Sequence, residues 1–99
     1  MIYKSKKFEG KKTFRQLEKV MKGGANHRRL QIMALLEKEP ELSLIEISKK
    51  TNANIKTIFN HVKYLESSGL VLKRSDYNFV RHKLTKNGDL MLKFLRMVE

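Results

Sequence analysis

The segment from Asn54 to Gly69 constrains the fold most, because one apolar face of a helix can be read from it directly. That face is predicted to contain Ile58, Val62 and Leu65, which recur at i, i+4 and i+7. Ile55 is predicted to lie beside them. Asn54 is suited to cap the helix and Gly69 to occupy its C′ position. Strand-forming residues follow at once, so this helix must pack on others and then lead into a hairpin.

Similar signals divide the rest of the chain. Apolar spacing predicts helices over 13–22, 26–38, 43–50, 54–68 and 86–98, with Gly23-Gly24 ending the first. Strands are predicted at 70–74 and 79–84, around a turn at 75–78. Polar residues suited to N-caps stand at Thr13, Asn26, Ser43, Asn54 and Thr85. The fold class is therefore mainly α with a small two-stranded antiparallel wing: a winged helix-turn-helix domain at 13–99, preceded by a basic arm at 1–12.

The charge of the chain points to a polyanionic partner. It has 99 residues with 22 Lys and Arg against 10 Asp and Glu, a net charge of +12. Residues 1–29 hold ten Lys or Arg and two Glu, so they supply +8 of that total. A field of this sign attracts nucleic acid first and an anionic membrane surface second, whereas a solubilising role alone would need no such concentration.

Several classes of site lack the residues they need. With no cysteine, disulfides and thiolate metal sites are excluded. The three histidines, His27, His61 and His82, show no metal-ligand spacing, so we expect no metal and no cofactor. No phosphate loop, catalytic triad or carboxylate pair is present, so we expect no enzyme. No apolar run or leader pattern suggests a membrane span or export, so the expected location is the cytoplasm.

Four stretches of sequence suggest a family. They are HRRLQIMALL at 27–36, LSLIEIS at 42–48, TIFNHVKYLESSGLV at 57–71 and LTKNG at 84–88. In this order they resemble the ArsR-like, and more broadly the MarR-like, winged helix-turn-helix regulators, over about two-thirds of the chain. The resemblance implies a DNA-binding regulator whose recognition helix is 54–68. Two departures stand out: Phe59 occupies a position where the family commonly has a serine facing DNA, and the family's cysteine metal sensor is absent.

The polar side of the recognition helix is the candidate DNA-reading face. At about 100° per residue, Lys56, Asn60 and Lys63 lie opposite the apolar face, with Thr57 and His61 at its margin. The N-terminal turns of such a helix meet base edges, where Asn suits adenine, Lys suits guanine and a Thr methyl suits thymine. The predicted contacts on this helix are Asn54, Lys56, Thr57, Asn60, His61 and Lys63. A merely solvated polar face is the alternative.

Further contacts are predicted outside this helix. The wing carries basic residues on both strands, together with His82, and its predicted contacts to backbone or minor groove are Lys73, Arg74, Asn78, Arg81 and Lys83. These charges could instead protect an exposed hairpin edge. Arg28, with its neighbour Arg29, stands near the start of the second helix, where phosphate binding is common. The two arginines could equally pair with Glu37, Glu39 or Glu41.

The first and last helices suggest a homodimer. Apolar residues cover almost the whole circumference of 86–98, which is unusual for a surface helix. A chain this small has little core to bury them, so a second copy is expected to cover them. The predicted dimerisation residues on helices 13–22 and 86–98 are Phe14, Leu17, Val20, Met21, Met91, Phe94, Leu95 and Val98. Packing of the two helices on each other in a monomer is the alternative.

These observations converge on a sequence-specific regulator of transcription that binds double-stranded DNA, acting as a dimeric repressor. A weakly specific architectural DNA-binding protein is the second hypothesis, because phosphate contacts give affinity without sequence preference. A winged helix used for protein contacts is the third. RNA binding fits less well, since the aromatic residues needed for base stacking are not interleaved with the basic ones.

Overall fold

The computed structural model describes residues 5–99, and its elements follow the predicted order. They are α1 Phe14–Gly24, α2 His27–Lys38, α3 Leu44–Thr51, α4 Ile55–Ser67, β1 Val71–Asp76, β2 Phe79–Leu84 and α5 Lys86–Val98. The two strands form one antiparallel sheet beside the helices. The winged helix-turn-helix fold expected from the sequence is thereby confirmed.

Each helix begins at the predicted polar residue. The side chains of Thr13, Asn26, Ser43, Asn54 and Thr85 all accept a hydrogen bond from a main-chain N–H of the helix that follows. In α1 and α3 the bond is reciprocated: Gln16 and Glu46 accept from the main-chain N–H of Thr13 and Ser43. These caps satisfy N–H groups that have no partner within a helix, and so fix where each helix starts.

The core lies where α2, α3 and α4 meet the base of the hairpin. Ile58, Val62 and Leu65 of α4 are at most 1% exposed, as the spacing predicted. They pack in one cluster with residues of the other elements, namely Ile32, Met33, Leu36, Leu42, Ile47, Leu70, Val71 and Leu92. Burial of each such aliphatic side chain contributes roughly 1.5–3 kcal/mol, so the cluster fixes α4 against its neighbours.

Ile55 was expected beside this buried face, and that expectation is wrong. It is 45% exposed and lines a surface cleft between α3 and the hairpin. Ile55 is the first residue of α4, and the buried face of the helix begins only at Ile58. The first turn therefore extends past the core.

The hairpin turn is shorter than the sequence suggested. Asp76 pairs with Phe79 in the ladder, so the turn contains only Tyr77 and Asn78 instead of residues 75–78. Tyr77 adopts a left-handed conformation with φ of 53°, which a two-residue connection commonly needs. Longer strands place the tip farther from the core than expected.

His82 was predicted on the basic surface of the wing, but it is buried, at 2% exposure. Its main-chain N–H and its Nδ1 both lie 2.9 Å from the carbonyl oxygen of Leu42. In return, Glu41 N–H donates to the His82 carbonyl over 2.9 Å. The segment before α3 thus pairs with β2 of the hairpin through a short antiparallel bridge, and the hydrogen bonds of His82 connect the two.

Gly23 and Gly24 were expected to end the first helix, and they are its last two residues, but both are also buried. A Cβ at Gly23 would overlap the Ser68 side chain and lie 2.9 Å from Leu70 Cδ1. A Cβ at Gly24 would overlap the sulfur of Met91. The pair therefore serves close packing: Gly23 lets α1 approach the end of α4, and Gly24 lets it approach α5.

Residues 5–12 form a closed loop in front of α1, whereas residues 1–4 of the predicted arm lie outside the described residues. Phe14 N–H donates to the Lys6 carbonyl over 2.9 Å, and Phe8 N–H donates to the Lys12 carbonyl over 3.1 Å. The rings of Phe8 and Phe14 meet edge to face with centroids 5.8 Å apart. The loop presents exposed lysines at positions 6, 7, 11 and 12.

Within residues 5–99, no helix combines the length and apolar character that crossing a bilayer requires.

The two buried glycines should respond differently to alanine. Gly23→Ala is expected to lower the free energy of unfolding by about 1–3 kcal/mol, because Ser68 Cβ is fixed to the backbone and cannot withdraw. Gly24→Ala should change it by less than about 1 kcal/mol, because the Met91 thioether is flexible and alanine favours the helix. Urea unfolding of both variants at one protein concentration tests this. Equal effects would contradict the packing role of Gly23.

Candidate nucleic-acid interface

Helix α4 presents a polar face away from the core. Its apolar side is fixed by Ile58, Val62 and Leu65, so the opposite side points outward. Among the predicted contacts, those that are exposed on this helix or at its cap are Asn54, Lys56, Thr57, Asn60 and Lys63. The structure thus brings these five predicted residues together along one helix.

The two asparagines of this group are not equivalent. Asn54 is the N-cap, and its Oδ1 accepts a 2.7 Å hydrogen bond from Lys56 N–H. Paired recognition of adenine needs both the oxygen and the nitrogen of an amide, and the cap engages the Asn54 oxygen. Asn60 lies on the second turn with an exposed side chain, so Asn60 is better suited to read a base.

Arg28 and Arg29, at the start of α2, are held by main-chain carbonyls. Arg28 donates to the Thr51 carbonyl over 3.1 Å. Arg29 donates to the carbonyls of Gly23 and Lys22 over 2.6 and 3.0 Å. The glutamates considered as their partners pair elsewhere: Glu37 with Arg96, Glu39 with Lys50 and Glu41 with Arg74. The predicted alternative of ion pairing is therefore not what the structure shows.

Tyr64 completes this side of α4. The Arg29 guanidinium lies 4.1 Å from the centroid of its ring, and the ring is 43% exposed. A cation above an aromatic face is attracted by the electrons of the ring. Tyr64 therefore supports Arg29 on the surface beside the polar face of α4.

His61 is a half-buried residue of α4 that lies near the charged residues at the start of α2. Burial lowers the pKa of its imidazole below the ordinary value of 6.5, and the positive charges of Arg29, Arg28 and His27 lower it further. The neutral form is favoured because a proton would add a positive charge to a partly desolvated, already positive site. The same surroundings would attract an anion.

The basic residues of the wing fall into two groups. Arg74 pairs with Glu41 at 2.9 Å, while Arg81 pairs with Asp76 at 3.4 Å and donates to the Glu41 carbonyl over 3.1 Å. These two arginines attach the hairpin to the segment before α3. Lys73 and Lys83 are exposed on the strands. Their charges are the better placed of the four for an external anion.

The tip of the wing consists of Tyr77 and Asn78. Asn78 was predicted as a contact, and both residues are exposed, Tyr77 completely. Tyr77 was predicted only as part of a turn. If the strands had been predicted to extend to Asp76 and Phe79, the sequence would have placed this tyrosine at the tip.

An apolar groove of about 480 Å³ lies between α1 and α5. Of the predicted dimerisation residues, those lining it are Leu17, Val20, Met21, Met91, Phe94 and Leu95. Phe14 packs instead against Phe8, and Val98 is 62% exposed near the end of α5. The groove leaves Met21 and Phe94 61% and 53% exposed.

Residues 5–99 contain no cluster of three or more His, Cys, Asp or Glu side chains placed to bind a metal ion.

Comparison with known proteins gives the family. A family model described as winged helix-turn-helix DNA-binding matches residues 26–71. A possible transcriptional regulatory protein from Mycobacterium bovis (fragment 1–100) is similar in structure, with 31% sequence identity and a TM-score of 0.73. That similarity covers 85% of this chain and 89% of the other. A search of curated protein sequences found no match.

Two further solved structures agree, and one of them is a solution structure of the same Mycobacterium bovis fragment. The Mb0332 domain from Mycobacterium bovis, described as homodimeric and as a possible ArsR-family transcriptional regulator, has 28% identity and a TM-score of 0.75. Its similarity covers 92% of this chain and 88% of that one. HlyU from Vibrio cholerae N16961 has 28% identity and a TM-score of 0.73, over 85% of this chain and 91% of that one.

The Mycobacterium bovis relative is described as a possible transcriptional regulator, which agrees with the expectation of a regulator and not an enzyme. The matched residues 26–71 run from the cap of α2 through the recognition helix to the first residue of the hairpin. The chain therefore belongs to the winged helix-turn-helix DNA-binding family of transcriptional regulators, and its Mycobacterium bovis relative is described as a possible ArsR-family member.

Proposed function

We propose that this chain is a dimeric, sequence-specific repressor that reads the major groove of DNA with α4 and contacts flanking backbone or minor groove with the wing. The observation that carries the proposal is the exposed polar face of α4, whose first two turns present Lys56, Thr57 and Asn60. These side chains match base edges in the major groove. Repression would follow from occupying a promoter.

The roles within the interface follow from the contacts described above. Asn60 and Lys56 read bases, and Lys63 contacts a phosphate. Lys73, Lys83 and the wing tip contact the flanking DNA. Arg28, whose Nη1 is engaged by Gln31 and Thr51, stands beside His61 and contributes positive charge to a phosphate-binding surface. Arg74 and Arg81 serve mainly to hold the wing in place.

The dimer would form through α1 and α5. The groove between them exposes large apolar side chains, and a second copy of the chain would remove these from water. The Mb0332 domain is described as homodimeric, which supports the formation of a dimer. Two-fold symmetry then requires a pseudo-palindromic operator with half-sites about one helical turn apart.

Selection from a random duplex pool, followed by binding across a salt series, tests the function. We expect an enriched inverted repeat, bound about a thousandfold or more tighter than random duplex. Tight, steeply salt-dependent binding without an enriched motif would indicate an architectural protein instead of a specific regulator. The exposed lysines of the loop at residues 5–12 would then be the main contacts. Absence of binding at low salt would refute both.

Two substitutions on α4 should separate base reading from phosphate binding. Asn60→Ala is expected to cost about 1–3 kcal/mol on the selected operator and to relax preference at one base pair. Lys63→Ala should weaken binding to all duplexes alike and reduce the salt slope by about one. Lys38→Ala, at the far end of α2, removes the same charge as a control. Fluorescence anisotropy on operator and scrambled duplexes distinguishes the three patterns.

The groove predicts a matched pair of variants on α5. Phe94→Lys, which places a charge in the groove, should convert the dimer to a folded monomer and weaken operator binding at least about tenfold. Met97→Lys adds the same charge outside the groove, where Met97 is 84% exposed, and should change neither property. Sedimentation velocity and anisotropy measure both. A Phe94→Lys protein that remains dimeric would exclude this interface.

His61 predicts a pH dependence of DNA binding. In the free protein its pKa is lowered from 6.5, so the imidazole is neutral at neutral pH. A nearby phosphate would favour the protonated form, so binding would take up a proton and affinity would rise as pH falls from about 7.5 to 5.5. His61→Gln should flatten this slope. An unchanged slope in the variant would show that His61 does not contact phosphate.

A further inference from the structure

Two large apolar side chains are exposed on the recognition helix, although hydrogen bonding to bases by its polar face would not need them. Ile55 is 45% exposed and Phe59 is 46% exposed. They lie one turn apart at i and i+4, so they form a short strip along one side of α4. A single exposed apolar residue on a surface is ordinary, but this pair borders the polar face.

The strip lies next to the candidate base-reading residues. At about 100° per residue, Phe59 is about 60° around the helix from Lys56 and about 40° from Lys63. The Lys63 ammonium lies 5.5 Å from the centroid of the Phe59 ring. This cation–π contact places the Lys63 charge beside the Phe59 ring at the edge of the polar face.

The strip also continues toward the wing. Ile55 lines a cleft of about 740 Å³ whose other apolar residues, on α3 and β2, include Ile45, Phe79 and Val80. Helix α4 and the wing bracket this cleft. DNA that contacts α4 and the wing together would therefore pass over Ile55, and Phe59 lies one turn farther along the same side of α4.

We propose that Ile55 and Phe59 read thymine by packing against its C5-methyl group. In the major groove this methyl is the apolar feature that marks thymine, and an isoleucine and a phenylalanine ring are apolar surfaces of suitable size. The polar residues beside them satisfy the hydrogen-bonding groups of neighbouring bases. The inference rests on the proposed DNA-binding function and adds a specificity: operator half-sites contain thymine opposite the strip.

Deoxyuridine tests the proposal, because it keeps every hydrogen-bonding group of thymidine and lacks only the methyl. The probes are the duplex recovered by selection and the same duplex synthesised with deoxyuridine in place of each thymidine. Loss of one buried methyl should raise Kd about fourfold, equivalent to about 0.8 kcal/mol. In a symmetric dimer the effect occurs in both half-sites and reaches about sixteenfold.

Variants assign the effect to the strip. Phe59→Ala should weaken binding to the thymidine duplex and bind both duplexes with nearly equal affinity, and Ile55→Ala should reduce the discrimination. Leu72→Ala provides the control, because Leu72 is 44% exposed on β1 and not on α4. That variant should keep the full discrimination. Circular dichroism confirms that each variant is folded, as expected for exposed positions.

The possible outcomes separate this inference from the proposed function. Discrimination by the wild type that disappears in Phe59→Ala supports methyl reading. Equal wild-type binding to both duplexes, a selected motif without thymine, or full discrimination in Phe59→Ala would overturn it while DNA binding stands; the apolar strip would then be a surface for a protein partner. No binding to any duplex would overturn both.

Discussion

The packing of α4 through Ile58, Val62 and Leu65 is the constraint on which the rest of the structure depends. These three side chains are at most 1% exposed, and together they set how α4 is rotated about its own axis. That rotation decides which residues point outward, because each residue turns the helix by about 100°. The core and the reading face are thus two consequences of one arrangement. In the proposed complex, a change that rotated α4 would alter which residues face DNA.

Local chemistry explains why so much of the fold could be predicted from the sequence. A cap requires a polar side chain and the N–H groups of the next turn, so Thr13, Asn26 and Ser43 were identified without knowledge of the tertiary structure. The wrong expectations share a different cause. The packing role of Gly23 was missed because nothing in the local sequence shows that Ser68 lies against it. His82 was placed on the surface because its partner, Leu42, is forty residues away.

The candidate site also combines features that depend on local sequence with features that depend on residues distant in the chain. The outward face of α4 follows from helical periodicity, so Lys56, Asn60 and Lys63 could be found from sequence alone. Which charges remain available for DNA could not, because Arg74 and Arg81 are engaged by the Glu41 segment, 33 and 40 residues earlier in the chain. The chain has a net charge of +12, but the ion pairs of Arg74 and Arg81 reduce the positive charge that the wing can offer to DNA. In the proposed complex, the exposed lysines of the wing would bind phosphate more readily than its two arginines.

Specific reading by one short helix covers few base pairs, so a regulator of this size depends on the geometry between two copies. In the proposed dimer, that geometry is transmitted through adjacent residues of α1. Gly23 packs against Ser68 at the end of α4, and Gly24 packs against Met91 in the groove with α5. The interface and the recognition helix are therefore joined by one rigid turn of helix with no side chain between them. A larger residue at Gly23 would move α1 away from the end of α4 and so change the separation of the two recognition helices in the proposed dimer, whereas Met91 can yield to a larger residue at Gly24. In the proposed dimer, Gly23 would therefore influence operator spacing as well as stability.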